Sequence, residues 1–374
     1  MQGKTPALFT PFTLRGVTLR NRIVVSPMCQ YLAEGGVAGG WHMAHHARFA
    51  LGGPGACIIE ATAVSEPGRI THGCTGLYTD AQEKVLAAIA ALHAGHGVVP
   101  GIQISHSGGK GATQRPWEGG GALPETGPEA AWETIGPSDI PVRQGFRPPR
   151  PATIEDIAGV VGAFGQAARR AVRAGFRIIE LHGAHGYLIH EFLSPLLNKR
   201  TDAYGGGLAG RMRLALETAE EVRAAVPDDH VVAWRASLTD NLEGGLTLED
   251  SLVLCRALKE RGIDLVDCSA GGIGAPVSLM QTRAEHGFQV PLAEAAGKAS
   301  GLATMAVGLI TDPARANAIV SEGRADLVAL AREMIADPNW AYRAALALGH
   351  PEPEHLLPRQ YALYLKRRAE AQGR

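Results

Sequence analysis

The chain has 374 residues, 45% hydrophobic and 20% charged, with 36 basic against 37 acidic side chains. That length and apolar share fit two average domains or one large barrel with a sizeable core. The balanced charge offers no basic surface for nucleic acid and no acidic tail for a partner, no apolar run is long enough to span a membrane, and the first residues lack the apolar stretch of a signal peptide.

Five cysteines, Cys29, Cys57, Cys74, Cys255 and Cys268, form no CxxC pair, and their number is odd. A reduced, cytoplasmic protein is the expectation.

In chain order, strand and helix alternate eight times. Strands are expected at 22–26, 56–60, 98–104, 177–181, 230–235, 264–268, 303–307 and 327–330. The helices that follow them are expected at 41–51, 80–94, 154–174, 209–225, 248–261, 292–300, 313–321 and 338–348. Thr153 with Asp156, and Thr247 with Asp250, have the spacing of helix caps. Asp312-Pro313 and Asp337-Pro338 place an acid at a cap and proline in the first turn. The strands are short and apolar on both faces, as in a buried parallel sheet. Eight such units predict an α/β chain folded as one (β/α)8 TIM barrel over residues 1–374. A doubly wound sheet is the alternative, but no G-x-G-x-x-G follows the first strand.

Two connections exceed what a barrel needs. Residues 107–151 are rich in glycine and proline and hold Trp117 and Trp132, which predicts a cap packed over the barrel mouth after the third strand. Residues 269–291 form a second glycine-rich stretch. Beyond the eighth helix, a tail from about residue 350 to 374 carries Tyr361 and Tyr364, which must pack on this subunit or on a neighbour.

Active residues of a barrel lie at the C-terminal strand ends. Those ends carry Ser26 to Tyr31, Glu60-Ala61-Thr62, Gln103, then His182, His185 and Tyr187, then Arg235, Gly308 and Ala331-Arg332. Two imidazoles and a phenol make a hydrogen-bonding and proton-transfer set. Taken alone, the histidine pair admits a structural, a metal-binding or a catalytic role. The ring is poor in carboxylates, which counts against a two-carboxylate glycosidase and a metal hydrolase. It suits a large heteroaromatic ligand bearing a phosphate. Gly308 would let backbone N–H groups approach that anion, and Arg332 would add a charged bond.

These residues resemble the Old Yellow Enzyme family of FMN-dependent ene-reductases. The likeness rests on Leu19-Arg20-Asn21-Arg22 with Ser26-Pro27-Met28-Cys29-Gln30-Tyr31, on Glu60-Ala61-Thr62, and on Gln103-Ile104-Ser105-His106. It continues in His182-x-x-His185-Gly186-Tyr187-Leu188 and Asn198-Lys199-Arg200-x-Asp202-x-Tyr204-Gly205-Gly206. The cysteine and Tyr31 resemble the bacterial YqjM-like and xenobiotic-reductase-like subgroup.

The resemblance implies FMN at the barrel mouth. Ser26, Pro27, Met28 and Cys29 would line its ring, with Ala61 and Gln103 in contact and Arg235 beside the pyrimidine edge. Gly308, Ala331 and Arg332 would hold its phosphate. NADPH or NADH would reduce the flavin, and an α,β-unsaturated carbonyl compound would then accept hydride at its β-carbon. His182 and His185 would bind the carbonyl oxygen, and Tyr187 would protonate the α-carbon. Tyr31 would position the substrate, and Cys29 would tune the flavin rather than bond covalently. Two departures stand out: Ala331 replaces the family's usual glycine, and the tail carries Tyr364 in place of an arginine. Tyr364, from this subunit or another, would wall the pocket, which implies a homodimer or homotetramer.

The competing expectations are a metal-dependent barrel hydrolase built on His182 and His185, and a flavin-binding protein with another electron acceptor. No metal site is assigned. His42, His45 and His46 share a helix face and read as packing or a subunit contact, and Cys57, Cys255 and Cys268 read as core.

Overall fold

A computed structural model describes residues 5–274 and 286–371. Part of the second glycine-rich stretch, residues 275–285, lies outside the described residues.

Eight parallel strands close into a barrel. They are β1 (Ile23–Val25), β2 (Ala56–Ala63), β3 (Val99–Ser105), β4 (Ile178–Gly183), β5 (Val231–Ser237), β6 (Leu265–Ser269), β7 (Ala303–Val307) and β8 (Leu327–Leu330). Each pairs with its neighbour in sequence, and β8 pairs with β1. The outer helices are α1 (Gly40–Leu51), α2 (Asp80–Gly95), α3 (Ile154–Arg173), α4 (Leu208–Ala225), α5 (Leu248–Glu260), α6 (Val290–Ser300), α7 (Pro313–Ser321) and α8 (Trp340–Ala347). The predicted TIM barrel is therefore the observed fold.

Local chemistry sets the helix starts. Thr153 and Thr247 accept the backbone N–H groups of Asp156 and Asp250, and Asp312 accepts that of Arg315. Asp337 does not cap α8 as expected: it ends a short helix, Arg332–Ala336, and α8 begins only at Trp340. Along α3, Ile157, Val160, Phe164, Ala167, Ala168 and Ala171 recur at three- and four-residue spacing and are buried against the barrel.

The strands, read as uniformly apolar, alternate in a graded way. Inside the barrel a lower layer is apolar, with Val24, Ile58, Ile178, Ala233, Leu265, Met305 and Ala329 packed together. Buried Val17 and Leu19, from an N-terminal hairpin (Phe12–Leu14 with Val17–Leu19), join this layer. Two residues further along the same inward faces come Ser26, Glu60, Glu180, Arg235 and Asp267. One step more reaches His182, Ser237 and Ser269. Strand periodicity thus carries the interior from oil to charge to site within four residues.

β2 runs three residues beyond its expected end. Its pairing with β3 shifts between Ile59 and Thr62, so that Glu60 and Ala61 oppose Gln103 alone. Such a bulge re-aims side chains at a barrel rim. In the segment 107–151, Ile135–Gly136 pairs with Arg150–Pro151. Trp132 bonds the Pro67 carbonyl, while Trp117 is 62% exposed and touches Tyr31 edge-on, so only Trp132 is packed as a cap residue. The tail is a helix, Arg359–Ala371, with no buried residue.

Candidate active site

A cavity of about 770 Å³ opens at the C-terminal end of the barrel. Seven expected site residues line it: Ser26, Pro27, His185, Arg235, Gly308, Ala331 and Arg332. Gly308 has φ +115, and a Cβ there would meet the Gln289 amide at 2.7 Å and the Phe288 ring at 3.0 Å. Only glycine fits this turn. Ala331 lines the same cavity with φ −111 and ψ −88.

Next to this cavity stand the aromatic acid–base groups. His182 ends β4 on its inward face rather than in the following loop. Its ring meets those of His185 and Tyr187 edge-on, at 5.1 and 4.7 Å between centres. The Ala184 N–H donates to His182 Nδ1, which leaves Nε2 carrying the proton as a donor. Burial, then the charge of Arg235, holds both imidazoles well below their usual range, so both are neutral at pH 7. Burial pushes the Tyr187 phenol up, which keeps its proton in place.

His185 is held from several sides. Its φ is +61, a left-handed conformation that a non-glycine residue keeps only when its surroundings enforce it. Ser237 accepts its backbone N–H, and the Lys110 ammonium donates to its carbonyl at 2.6 Å. Its Nε2 lies 2.7 Å from Ser269 Oγ, which itself donates to Gln289. The Ser269 proton is thus committed, and His185 Nε2 is the donor in that pair. Lys110 also reaches the Gly272 carbonyl and lies over the Tyr187 ring, 5.2 Å from its centre. Burial, then Arg143, lowers its ammonium to about 7. Sequence reasoning left Lys110 and Ser269 unassigned, although Ser269 sits two residues beyond Asp267 on an inward strand face.

The floor of the site is a charged layer. Gln103 donates to Glu180 at 2.7 Å, and Arg235 reaches Asp267 at 2.8 Å and Ser26 at 3.0 Å. Burial raises both carboxyls, Glu180 to about 8. Behind the His185 turn, Gly186 N–H donates to His190 Nδ1, and His190 Nε2 meets Asp240 at 2.9 Å.

On the opposite wall, Glu60 accepts the Gln30 N–H and shapes the loop that carries Met28, Cys29 and Tyr31. Burial raises the Cys29 thiol well above its usual range, with Glu60 and Cys74 pushing the same way. A neutral thiol is a poor nucleophile. The Cys29 sulfur, then burial, raises the Tyr31 phenol. Tyr364 is 69% exposed on the tail helix and does not line the cavity of its own chain. His42 is bound by Gly39 N–H and faces Glu60, which separates it from His45 and His46.

A barrel with this mouth, a cation and donors on one floor and a glycine turn beside an arginine, defines a class of enzymes that bind a phosphorylated heteroaromatic cofactor. A profile of the NADH:flavin oxidoreductase / NADH oxidase family matches residues 7–349. The chain belongs to that family. An NADPH dehydrogenase from Geobacillus sp. (strain WCH70) is 43% identical over 344 residues, covering 91% of this chain and 94% of the relative. An NADPH dehydrogenase from Halalkalibacterium halodurans is 41% identical over 346 residues, covering 91% and 95%. Among solved structures, morphinone reductase in complex with tetrahydroNAD superposes with a TM-score of 0.74 at 25% identity, covering 91% of each chain. A 2-naphthoyl-CoA reductase complex gives 0.81 at 27% identity; this chain covers 53% of it, about half its length.

The protein is an NAD(P)H-dependent flavin oxidoreductase with FMN as cofactor, and the likeness to Old Yellow Enzyme holds. The residues present fit the cofactor: Gly308, Ala331 and Arg332 line one side of the cavity, and Arg235 brings a buried cation to it whose Nε has no hydrogen-bond partner. Among the described residues no helix is long and apolar enough to cross a membrane.

Proposed function

We propose that the chain reduces the activated carbon–carbon double bond of α,β-unsaturated carbonyl compounds. The observation that carries this reading is the set of His182, His185 and Tyr187, neutral and mutually packed at the end of β4 beside the cavity. FMN, when bound, would supply the redox chemistry, passing hydride equivalents from NADPH or NADH to the substrate's β-carbon.

The chain supplies everything else. Ser26, Pro27, Met28, Cys29 and Ala61 would wall the ring, Gln103 and Arg235 would meet its polar edge, and Gly308, Ala331 and Arg332 would hold the phosphate. His182 donates from Nε2 to the substrate's carbonyl oxygen, and His185 does the same once Ser269 releases it. Both bonds strengthen as negative charge gathers on that oxygen, which lowers the barrel's barrier for the second half-reaction. Tyr187 gives its proton to the α-carbon, and burial keeps that proton available across the neutral range. Tyr31 orients the substrate, with Tyr364 of a neighbouring copy as the outer wall of a homodimer or homotetramer.

The test is an anaerobic spectrum of the FMN-loaded protein, with NADPH added first and 2-cyclohexenone second. Flavin absorption should bleach with NADPH and return with the enone. Bleaching without return on any enone would sink the proposal and leave a flavin enzyme with another acceptor.

A further inference from the structure

Behind β2, on the side away from the cavity, three potential ligands converge from three elements. His46 comes from α1, Cys57 from β2 and His93 from α2, and their ligating atoms all lie within 4.8 Å of one another. All three residues are buried, His93 and Cys57 with no exposure at all. His46 Nδ1 stands 3.7 Å from Cys57 Sγ. Two ligands on one ion, with bonds of about 2.3 Å to sulfur and about 2.0 Å to nitrogen, are separated by roughly 3.6 Å.

A thiol–imidazole hydrogen bond would explain His46 and Cys57 and nothing more. It leaves His46 Nε2 enclosed without a hydrogen-bond partner, and His93 with only the His46 backbone carbonyl close by and no well-formed bond to it. Unpaired buried polar atoms cost about 1–3 kcal/mol each, so a group that satisfies His93 is missing from that account. The rings of His46 and His93 meet edge-on with centres 5.1 Å apart.

We propose that His46, Cys57 and His93 form a closed binding site for one monovalent, thiophilic cation of the copper(I) type. One thiolate and two imidazoles are the donor set that soft d10 ions prefer. Charge selects among those ions. Copper(I) with one thiolate is neutral, whereas zinc would leave a net positive charge in the core. The converging ligand group holds no carboxylate to offset that charge. Burial also keeps both imidazoles unprotonated at neutral pH, ready to coordinate. On binding, the thiol proton leaves to solvent, and no electron is transferred. The ion would pin α1 and α2 to the strand that carries Glu60 and Ala61 to the mouth. The sequence placed His46 in packing and Cys57 in the core, because His93 lies thirty-six residues beyond Cys57 and matches no ligand spacing.

The test uses FMN-loaded protein in anaerobic competition with the copper(I) complex of bicinchoninate, whose purple band lies to the red of flavin absorption. Wild type should withdraw one equivalent of copper(I). Cys57→Ser should withdraw one equivalent fewer, while Cys29→Ser keeps it. His46→Gln and His93→Gln should weaken the site by roughly a hundredfold. Flavin absorption and far-UV dichroism of each variant establish that it is folded. The proposal is overturned if folded wild type withdraws no copper(I). Equal withdrawal by Cys57→Ser would overturn it as well, and so would a site that fills with zinc but not copper(I).

Discussion

Gly308→Ala is the sharpest probe of the proposed phosphate side of the cavity. The substitution puts a side chain at φ +115, outside the regions that ordinary residues occupy. Such strain costs about 1–3 kcal/mol. The new methyl group also meets Gln289 Nε2 at 2.7 Å and the Phe288 ring at 3.0 Å. Gln289 cannot yield freely, because it donates to the Val307 carbonyl and accepts from Ser269. Overpacking of this kind adds about 1–3 kcal/mol. If the loop relieves both by turning its N–H groups away from the anion, the loss falls on FMN. The two together give a central value of about 4 kcal/mol, which corresponds to roughly a thousandfold weaker binding. Titration of apoprotein with FMN, followed by quenching of flavin fluorescence, measures this directly. The apoprotein's thermal midpoint separates lost binding from lost folding. A folded variant that binds FMN within about threefold of wild type would refute the assignment of Gly308 to the phosphate.

Four further outcomes are expected. Tyr187→Phe should slow flavin reoxidation by 2-cyclohexenone by about a hundredfold while leaving reduction by NADPH intact, as stopped-flow traces of the two half-reactions would reveal. Ser269→Ala frees the His185 Nε2–H, so a phenol that binds as an anion should bind about fivefold more tightly, the equivalent of a hydrogen bond of ~1 kcal/mol, read from its charge-transfer band. Lys110, lowered from 10.5 to about 7 in the folded chain, makes the unfolded state bind more protons between those values. Its contribution to stability therefore rises with pH through that window, and the rise in thermal midpoint from pH 7 to 9 should be larger for wild type than for Lys110→Met. Asp267→Asn removes the buried partner of Arg235, which should cost about 3–5 kcal/mol in stability, measured by denaturant unfolding under saturating FMN.

The barrel was legible because its information is local. Each strand is short, apolar and bounded, and three of the helix caps carry their own signals in Thr153, Thr247 and Asp312. The N-terminal hairpin was missed although its signal is present: Phe12 and Leu14, then Val17 and Leu19, alternate about an Arg15-Gly16 turn. The tail helix was missed because nothing is buried along it, so no apolar periodicity marks it. β2 overran its expected end because a bulge at Glu60 and Ala61 leaves no trace in composition. In the site, His182, His185 and Tyr187 were legible as a motif within six residues. Their supports were not, since Lys110, Ser237, Ser269 and Gln289 arrive from four other segments and meet only once the barrel closes.

That distribution of supports explains how one fold holds a strained residue at the barrel mouth. The left-handed turn at His185 gains little from its own sequence, where only the following Gly186, itself at positive φ, favours it. It persists because a lysine, two serines and the His190–Asp240 pair each fix one bond of the turn. Loss of any one support leaves the other anchors in place, so single substitutions among them should shift affinity and pH response more than fold. Loss of the glycine turn at Gly308 acts differently: through Gln289 and Ser269 it reaches His185 as well as the phosphate. A Gly308→Ala chain reloaded with FMN should therefore also bind phenols abnormally. Normal phenol affinity in that reloaded variant would show that the two halves of the mouth are independent, and that Gln289 does not link them.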